Sequence, residues 1–240
     1  DYTNIVTKHY GDRIKHWATF NEPYVVSFVG NWQGRHAPGN TSLPTALKVA
    51  HHLLLSHGKA IPVIRENVED AKAGIVLDLH HYIPKTDSDA DILASNREEA
   101  IHNQWFSDPV LKGQYPASLV TYLGDALDEI NLDEIADACV PLDFVGINYY
   151  MLNRVEHNEK GNMLKTRIVP DDNAIITEMG WEVYPQGLYE QLMWLKNNYN
   201  VPAIYITENG ASFDDTLEDD GVHDVFLNRE CTRIDAKFLR

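Results

Sequence analysis

Thr19-Phe20-Asn21-Glu22-Pro23 and Ile206-Thr207-Glu208-Asn209-Gly210 each place a glutamate at the end of a strand-like apolar run. A proline follows the first glutamate and an Asn-Gly pair follows the second, so each run ends at a turn. A carboxylate at the end of a buried strand is costly unless it is paired or has a function. Two stretches of this kind predict a pair of catalytic carboxylates at one edge of a parallel sheet.

The rest of the chain alternates strand-like runs with helical patterns. We predict strands over residues 15–21, 73–79, 142–148 and 203–207. Apolar residues spaced by three and four predict a helix over residues 44–66, with Leu47, Ala50, Leu54, Ile61 and Ile64 on one face. Pro62 predicts a kink or a break in this helix. Further helices are predicted over residues 96–106, 124–138, 188–199 and 228–240.

Continuously apolar strands, each followed by a helix, predict an α/β fold with a parallel sheet covered on both faces. No Gly-x-Gly-x-x-Gly motif follows a strand, which disfavours a dinucleotide-binding sheet. Polar residues cluster after the strands, namely Asn21-Glu22, His80-His81, Asn148-Tyr149-Tyr150 and Glu208-Asn209. In a (β/α)₈ barrel this rim carries the active site. We therefore expect part of a TIM barrel, with residues 1–240 as a single domain.

Composition excludes several classes of partner. The formal net charge is -16, which disfavours nucleic acid and anionic membrane surfaces as partners. No apolar run is long enough to span a bilayer. Cys139 and Cys231 form no metal or disulfide pattern, and this usage, with no visible signal peptide, predicts a cytoplasmic protein. The spacing of His51, His52 and His57 does not form a metal-binding helix face, so neither a metal nor a cofactor is expected.

The two glutamates lie in different sequence contexts, which indicate different roles. Glycoside hydrolysis needs one carboxylic acid to protonate the leaving oxygen and one carboxylate to attack carbon or activate water. Asn148 and Tyr150 are placed to donate hydrogen bonds to Glu208, which would keep it ionised as a nucleophile. Glu22 lies beside Pro23 and Tyr24, and a less polar wall suits an acid.

These stretches resemble the two signature motifs of glycoside hydrolase family 1, the β-glucosidase family. Intermediate stretches resemble the family in the same order and cover nearly the whole chain. They are Gly34-Arg35-His36-Ala37-Pro38-Gly39, Trp105-Phe106-Ser107-Asp108-Pro109, residues 143–150 and Met179-Gly180-Trp181.

The resemblance implies a retaining β-glycosidase, most simply a β-glucosidase, with small β-glycosides or oligosaccharides as its partners. It assigns Glu22 as the general acid/base and Glu208 as the nucleophile. It places Asn21 on the sugar 2-hydroxyl, and Tyr150 with Asn148 on Glu208. Trp181, His36 and Tyr24 are expected to line the aglycone side. A retaining mechanism requires the carboxyl groups to lie about 5–5.5 Å apart.

The resemblance also implies that this chain is the middle half of a barrel. It holds four of the family's eight strands, so the 240 residues are expected to be a fragment or a part of a longer polypeptide. Four consecutive parallel strands have two open edges. One alternative is therefore a non-catalytic half-barrel that binds sugars weakly. Another is a different retaining barrel family, which shares the Asn-Glu pair. No oligomeric state is indicated.

Overall fold

The structure is a computed structural model that describes residues 1–214, 216–218 and 221–223. Its strands, in chain order, are β1 (His16–Asn21), β2 (Lys72–Asp78), β3 (His81–Pro84), β4 (Phe144–Asn148), β5 (Leu152–His157), β6 (Thr166–Ile168), β7 (Ile204–Glu208), β8 (Thr216–Glu218) and β9 (Gly221–His223). Its α-helices are α1 (Tyr2–Tyr10), α2 (Leu43–Asn67), α3 (Asp89–Glu99), α4 (Trp105–Lys112), α5 (Ala117–Leu123) and α6 (Pro185–Asn198).

The chain divides into two compact units. The first contains Asp1–Leu79, Arg97–Asn148 and Leu195–Thr207. The second contains His80–Asn96, Tyr149–Trp194 and the described residues from Glu208 onward. The four predicted strands belong to the sheet of the first unit, with Glu208 as the last residue of β7.

The sheet of the first unit has the order β1-β2-β4-β7. The pairs β1–β2 and β2–β4 are parallel. Val145 donates to the Ala203 carbonyl over 2.9 Å, and in the second unit Tyr149 donates to the Glu208 carbonyl over 3.1 Å, so β7 runs in the same direction as β4. The prediction of four consecutive parallel strands is confirmed, with bounds within three residues of those expected.

The two inner strands of this sheet are the most buried. All of β4 is buried, and so is all of β2 after Lys72. The edge strands differ, because β1 alternates between exposed and half-buried residues while Tyr205 and Ile206 in β7 remain 42% and 51% exposed. Edge exposure is what the sequence predicts for a sheet that lacks its outer neighbours.

Helix α2 covers the sheet with the predicted apolar stripe. Ser42 caps it, accepting a hydrogen bond from the Thr45 N–H at 3.3 Å. Every member of the stripe is buried, with exposures of 0% to 2%. The sequence predicted a kink or a break at Pro62; α2 continues to Asn67, so there is no break, and the kink stays a prediction. Proline removes one backbone donor from the helix, and burial of Ile61 and Ile64 on either side holds the segment helical.

Other helix predictions need correction at their ends. The region predicted over 96–106 is helical but longer, because α3 continues through a π-helical segment (Ala100–Gln104) into α4. The helix predicted over 124–138 is wrong: the segment forms two 3₁₀ turns, Gly124–Leu127 and Leu132–Ala138. The buried apolar residues of this segment belong to two separate turns and do not form one continuous helix face. The helix predicted over 228–240 and Cys231 lie outside the described residues.

The second unit is built on a small mixed sheet. Strand β5 pairs in parallel with β3 and antiparallel with β6, in the order β3-β5-β6. Strands β5 and β6 form an antiparallel pair within residues 152–168. Strands β8 and β9 form a separate antiparallel pair. Across the described part of the chain, no helix combines the length and apolar character that a bilayer crossing requires.

Gly74 provides a direct test of the packing between β2 and β4. A Cβ atom at this position would lie 2.3 Å from the Phe144 carbonyl oxygen, and backbone of a central strand cannot move away cheaply. We expect Gly74→Ala to lower the free energy of unfolding by about 1–3 kcal/mol in urea denaturation.

Gly210→Ala is the matched control, because a Cβ there meets no atom within 4 Å among the described residues. Equal stability of the two variants would contradict the packing described for β2 and β4.

Candidate active site

Glu22 leaves β1 in an unusual backbone conformation. Its φ is +48°, a region that residues with a side chain seldom adopt. Two sets of hydrogen bonds hold it there: its N–H donates to the Val76 carbonyl at 3.0 Å, and its carbonyl accepts from Val25 and Val26. The pairing of β1 with β2 is irregular between Ala18 and Asn21. Strained residues and strand irregularities that persist in this way are concentrated at functional sites.

A buried amide holds the Glu22 side chain. Asn148 is fully buried, and its Nδ2 donates to Glu22 Oε1 at 2.7 Å and to Asn21 Oδ1 at 3.1 Å. The sequence predicted that Asn148 would donate to Glu208. That contact is corrected, because the hydrogen bonds of the Asn148 amide go to Glu22, Asn21 and Thr207. Asn21, Glu22 and Asn148 thus form one cluster, the Glu22 cluster, within the first unit.

Tyr24 does not line an open surface. It is 9% exposed and stacks on His102 and Phe28, with ring centroids 3.8 and 5.1 Å away. Burial raises the pKa of Tyr24, and the negative charges of Glu98 and Asp78 raise it further. Two residues after Glu22 the chain has entered a helical turn, which directs this ring into the aromatic core. The aglycone role expected for Tyr24 stays a prediction.

His36 lies apart from the Glu22 cluster in an exposed loop. Its backbone N–H donates to the Val29 carbonyl at 3.4 Å. No contact of the His36 ring with Asn21, Glu22 or Asn148 is found among the described residues of the first unit. The aglycone role expected for His36 stays a prediction.

Glu208 is held by the predicted tyrosine. The Tyr150 hydroxyl donates to Glu208 Oε2 at 2.5 Å. The backbone is fixed next to it, since the Glu208 carbonyl accepts from the Tyr149 N–H and the Asn209 side chain donates to the Tyr149 carbonyl at 2.7 Å. Within residues 1–214, 216–218 and 221–223, Glu208 takes part in no salt bridge. A neutral donor therefore holds this carboxylate.

Trp181 belongs with Tyr150 and Glu208, and we call these three residues the Glu208 cluster. Its ring centroid lies 5.4 Å from that of Tyr150, at an interplanar angle of 48°. A tight turn presents the indole: Thr177 and Trp181 exchange a backbone hydrogen bond and a side-chain one, and Gly180 adopts a φ of +78°. The half-buried indole leaves an apolar face of the kind that packs on a sugar ring.

A buried ion pair anchors the residue after Trp181. Glu182 is 5% exposed and accepts three hydrogen bonds from the Arg154 guanidinium, the shortest at 2.9 Å. The Asp171 N–H donates to the same carboxylate at 3.2 Å. The Glu182 carboxylate raises the pKa of the Arg154 guanidinium. Because Glu182 is bonded to Trp181 through the backbone, this pair fixes the base of the Trp181 turn.

Residues 1–229 match the family model described as glycosyl hydrolase family 1. The chain belongs to glycosyl hydrolase family 1. It is 38% identical over 226 residues to β-glucosidase A of Thermotoga maritima, covering 93% of this chain and 50% of that protein. The chain thus spans about half the length of the curated relatives that it matches.

Solved structures of the family agree with the fold. The family 1 β-glucosidase of T. maritima superposes with a TM-score of 0.87 at 38% identity, over 93% of this chain and 50% of its own. A β-glucosidase from Exiguobacterium marinum gives a TM-score of 0.91 at 36% identity, over 99% and 54% of the two chains. The predicted fold class is confirmed: an α/β chain with a parallel sheet that forms part of the family's barrel.

Several residues of these clusters were not singled out from the sequence. Thr207 lies inside a signature motif, yet nothing in the motif shows that its hydroxyl contacts Asn148. Arg154 and Glu182 are separated by 28 residues, and no periodicity links them. A charged residue directly after a candidate sugar-stacking tryptophan was the one signal available for Glu182.

Arg154→Met tests whether the buried pair supports the Glu208 cluster. Removing the cation leaves the Glu182 carboxylate buried without its charged partner, so we expect a loss of roughly 3 kcal/mol in unfolding free energy. Arg167→Met is the control, because Arg167 pairs with Glu156 while its side chain stays 60% exposed. That variant is expected to change stability by less than about 1 kcal/mol. If the two variants lost the same unfolding free energy in thermal or urea denaturation, burial of the Arg154–Glu182 pair would add no stability beyond that of an exposed pair.

Proposed function

We propose that this chain carries the catalytic carboxylates of a retaining β-glycosidase, and that β-glucosides are its substrate class. One observation carries the proposal: each of the two motif glutamates accepts a hydrogen bond from a neighbouring side chain. An amide donates to Glu22 after β1, and a phenol donates to Glu208 at the end of β7. Each donor is a neutral group that contacts the carboxylate of a glutamate in one of the two motif positions.

In the first chemical step Glu208 acts as nucleophile. Tyr150 holds Oε2, and Oε1 makes no hydrogen bond with any described residue, so Oε1 is the oxygen that attacks the anomeric carbon. As the new carbon–oxygen bond forms, the glycosidic bond breaks, and Glu22 gives its proton to the leaving oxygen. The product is a glycosyl ester on Glu208.

In the second step Glu22 changes role. Its carboxylate removes a proton from water, the water oxygen attacks the anomeric carbon, and the bond to Glu208 breaks. Two inversions give overall retention. In this mechanism Asn21 binds the sugar 2-hydroxyl and Trp181 packs against the apolar face of the substrate.

Relatives support the substrate class. Curated proteins that match the chain include β-glucosidases, and the T. maritima enzyme has a solved complex with deoxynojirimycin. We extend that ligand class, small glycoside-like molecules, to this chain. The cytoplasmic location and the single domain expected from the sequence stay predictions.

A second candidate function is sugar binding without turnover. It is favoured by one fact: the chain covers 50% of the length of its T. maritima relative, so binding groups that other segments supply in that protein are not part of this sequence. Both carboxylates are present in either case, and only turnover chemistry separates the two functions.

Covalent trapping distinguishes these functions. We expect 2,4-dinitrophenyl 2-deoxy-2-fluoro-β-glucoside to form one ester adduct on Glu208, because fluorine slows the second step while the activated leaving group permits the first. Intact mass and peptide mapping locate the adduct. Glu208→Gln should abolish it, Glu22→Ala should retain it, since this leaving group needs no acid, and Glu69→Gln, an exposed glutamate, is the matched control.

An adduct on another residue would contradict the assignment of Glu208. Absence of any adduct, together with deoxynojirimycin binding in calorimetry, would favour the binding function. Absence of both would contradict both functions for this chain.

A further inference from the structure

Both the nitrogen and the oxygen of the Asn148 side-chain amide are hydrogen-bonded in the Glu22 cluster. Its Nδ2 contacts Glu22 and Asn21, and its Oδ1 lies 2.6 Å from the Thr207 hydroxyl oxygen. Asn148 has no exposed surface, so each of these bonds replaces water that the amide has lost. A buried amide with a missing partner would cost about 1–3 kcal/mol.

The direction of these bonds follows from the groups themselves. The Asn148 atom that faces Glu22 is Nδ2, which donates to Oε1 at 2.7 Å. The oxygen of the same amide then faces Thr207, and it needs a donor. The Thr207 hydroxyl has one hydrogen and two acceptors near it, Asn148 Oδ1 at 2.6 Å and the Ile147 carbonyl at 3.1 Å. The shorter contact takes the hydrogen.

The same reasoning sets the orientation of Asn21. The second hydrogen of Asn148 Nδ2 goes to Asn21 Oδ1, so the Asn21 amide nitrogen is left as a donor on an exposed residue. A donor at this position suits the oxygen of a sugar hydroxyl. The polarity of the whole series therefore begins at the Thr207 hydroxyl.

Gly146 keeps Thr207 in place. A Cβ atom at residue 146 would lie 3.0 Å from Thr207 Cγ2 and 3.1 Å from its Oγ1. Strand β4 thus leaves room for the threonine side chain two residues before Asn148. Thr207 also directly precedes Glu208, so one strand end carries the proposed nucleophile and the group that orients the amide beside Glu22.

We propose that Thr207 is a positioning residue, whose hydroxyl fixes the direction of the hydrogen-bond series Thr207 → Asn148 → Glu22 and Asn21. In that direction Asn148 stabilises the ionised form of Glu22, the state that acts as base in the second step. The proposal rests on the proposed function for its catalytic meaning. Its geometry concerns the first unit alone and can be tested without turnover.

The test follows the side-chain amide of Asn148 by ¹⁵N-¹H NMR of the 240-residue chain across an acid pH titration, with the signal assigned from its loss in Asn148→Ser. The Asn148 signal should report the ionisation of Glu22. Thr207→Val keeps the shape and removes the donor, so we expect the Asn148 signal to shift and its titration midpoint to rise. Thr207→Ser restores the hydroxyl and should restore the wild-type midpoint.

Thr7→Val is the matched control. Thr7 is 1% exposed and its hydroxyl accepts from the Asn67 amide at 3.0 Å, so the substitution also removes a threonine–asparagine contact. It should leave the Asn148 signal unchanged. An unchanged midpoint in Thr207→Val, or a change of equal size in Thr7→Val, would overturn the proposal.

The wild-type protein provides a measurement that needs no variant. The Asn148 amide protons should show nuclear Overhauser contacts to the Asn21 and Glu22 side chains and none to the Thr207 methyl group. The reversed pattern would mean that the amide is flipped, and it would overturn the proposal even if Thr207→Val did not fold. If the NMR results hold and covalent trapping fails, the positioning role survives and the proposed function does not.

Discussion

The fully buried amide of Asn148 is the constraint on which the Glu22 cluster depends. Its oxygen accepts a hydrogen bond from Thr207 on β7, and its nitrogen donates hydrogen bonds to Asn21 and Glu22 at the end of β1. Three strands of one sheet are therefore tied through a single side chain. Because a buried amide must satisfy both its oxygen and its nitrogen, the strands are held in a register that places these partners around it. The unusual backbone of Glu22 is tolerable in this setting, since both its backbone and its carboxylate are bonded.

The Glu208 cluster uses a different support. A phenol holds the carboxylate, and the tryptophan beside that phenol stands on a turn whose base is a buried Arg154–Glu182 pair. The charged Arg154–Glu182 pair thus lies next to Trp181 in the chain, and the Glu208 carboxylate accepts its hydrogen bond from the neutral Tyr150 hydroxyl. This arrangement suits a nucleophile, which must remain ionised and must also be released from its partner as a carbon–oxygen bond forms.

Much of the fold was predictable from the sequence. The strands ending at Asn21, Asp78, Asn148 and Glu208 are short apolar runs closed by polar residues, and helix α2 has a regular stripe, so local pattern and tertiary burial agree. The prediction failed over 124–138, where turns formed instead of a helix, and at Pro62 the helix continued without the break that was one of the two expectations. In both places the outcome was decided by contacts between distant segments, which a sequence pattern does not contain.

In the candidate site, too, some contacts were predicted from the sequence and others were not. Tyr150 was correctly predicted to contact Glu208, because it follows a neighbouring strand of the same parallel sheet. Asn148, two residues earlier, was assigned to the wrong glutamate. A strand alternates its side chains between faces, yet an amide at a strand end can reach toward either neighbour. The contact between Asn148 and the Thr207 hydroxyl is not visible in a sequence pattern. The burial of Tyr24 was not expected from the sequence, because the helical turn after Glu22 directs its ring into the core.

The central claim is that Glu22 and Glu208 act together as a retaining pair, and the separation of their carboxyl carbon atoms tests it most directly. A crystal structure of the 240-residue chain would provide this distance whether or not the chain turns over substrate. The account predicts about 5–5.5 Å, which leaves no room for a water molecule between the sugar and the nucleophile. A separation of about 8 Å or more, with both side chains well ordered, is the geometry of an inverting pair and would contradict it.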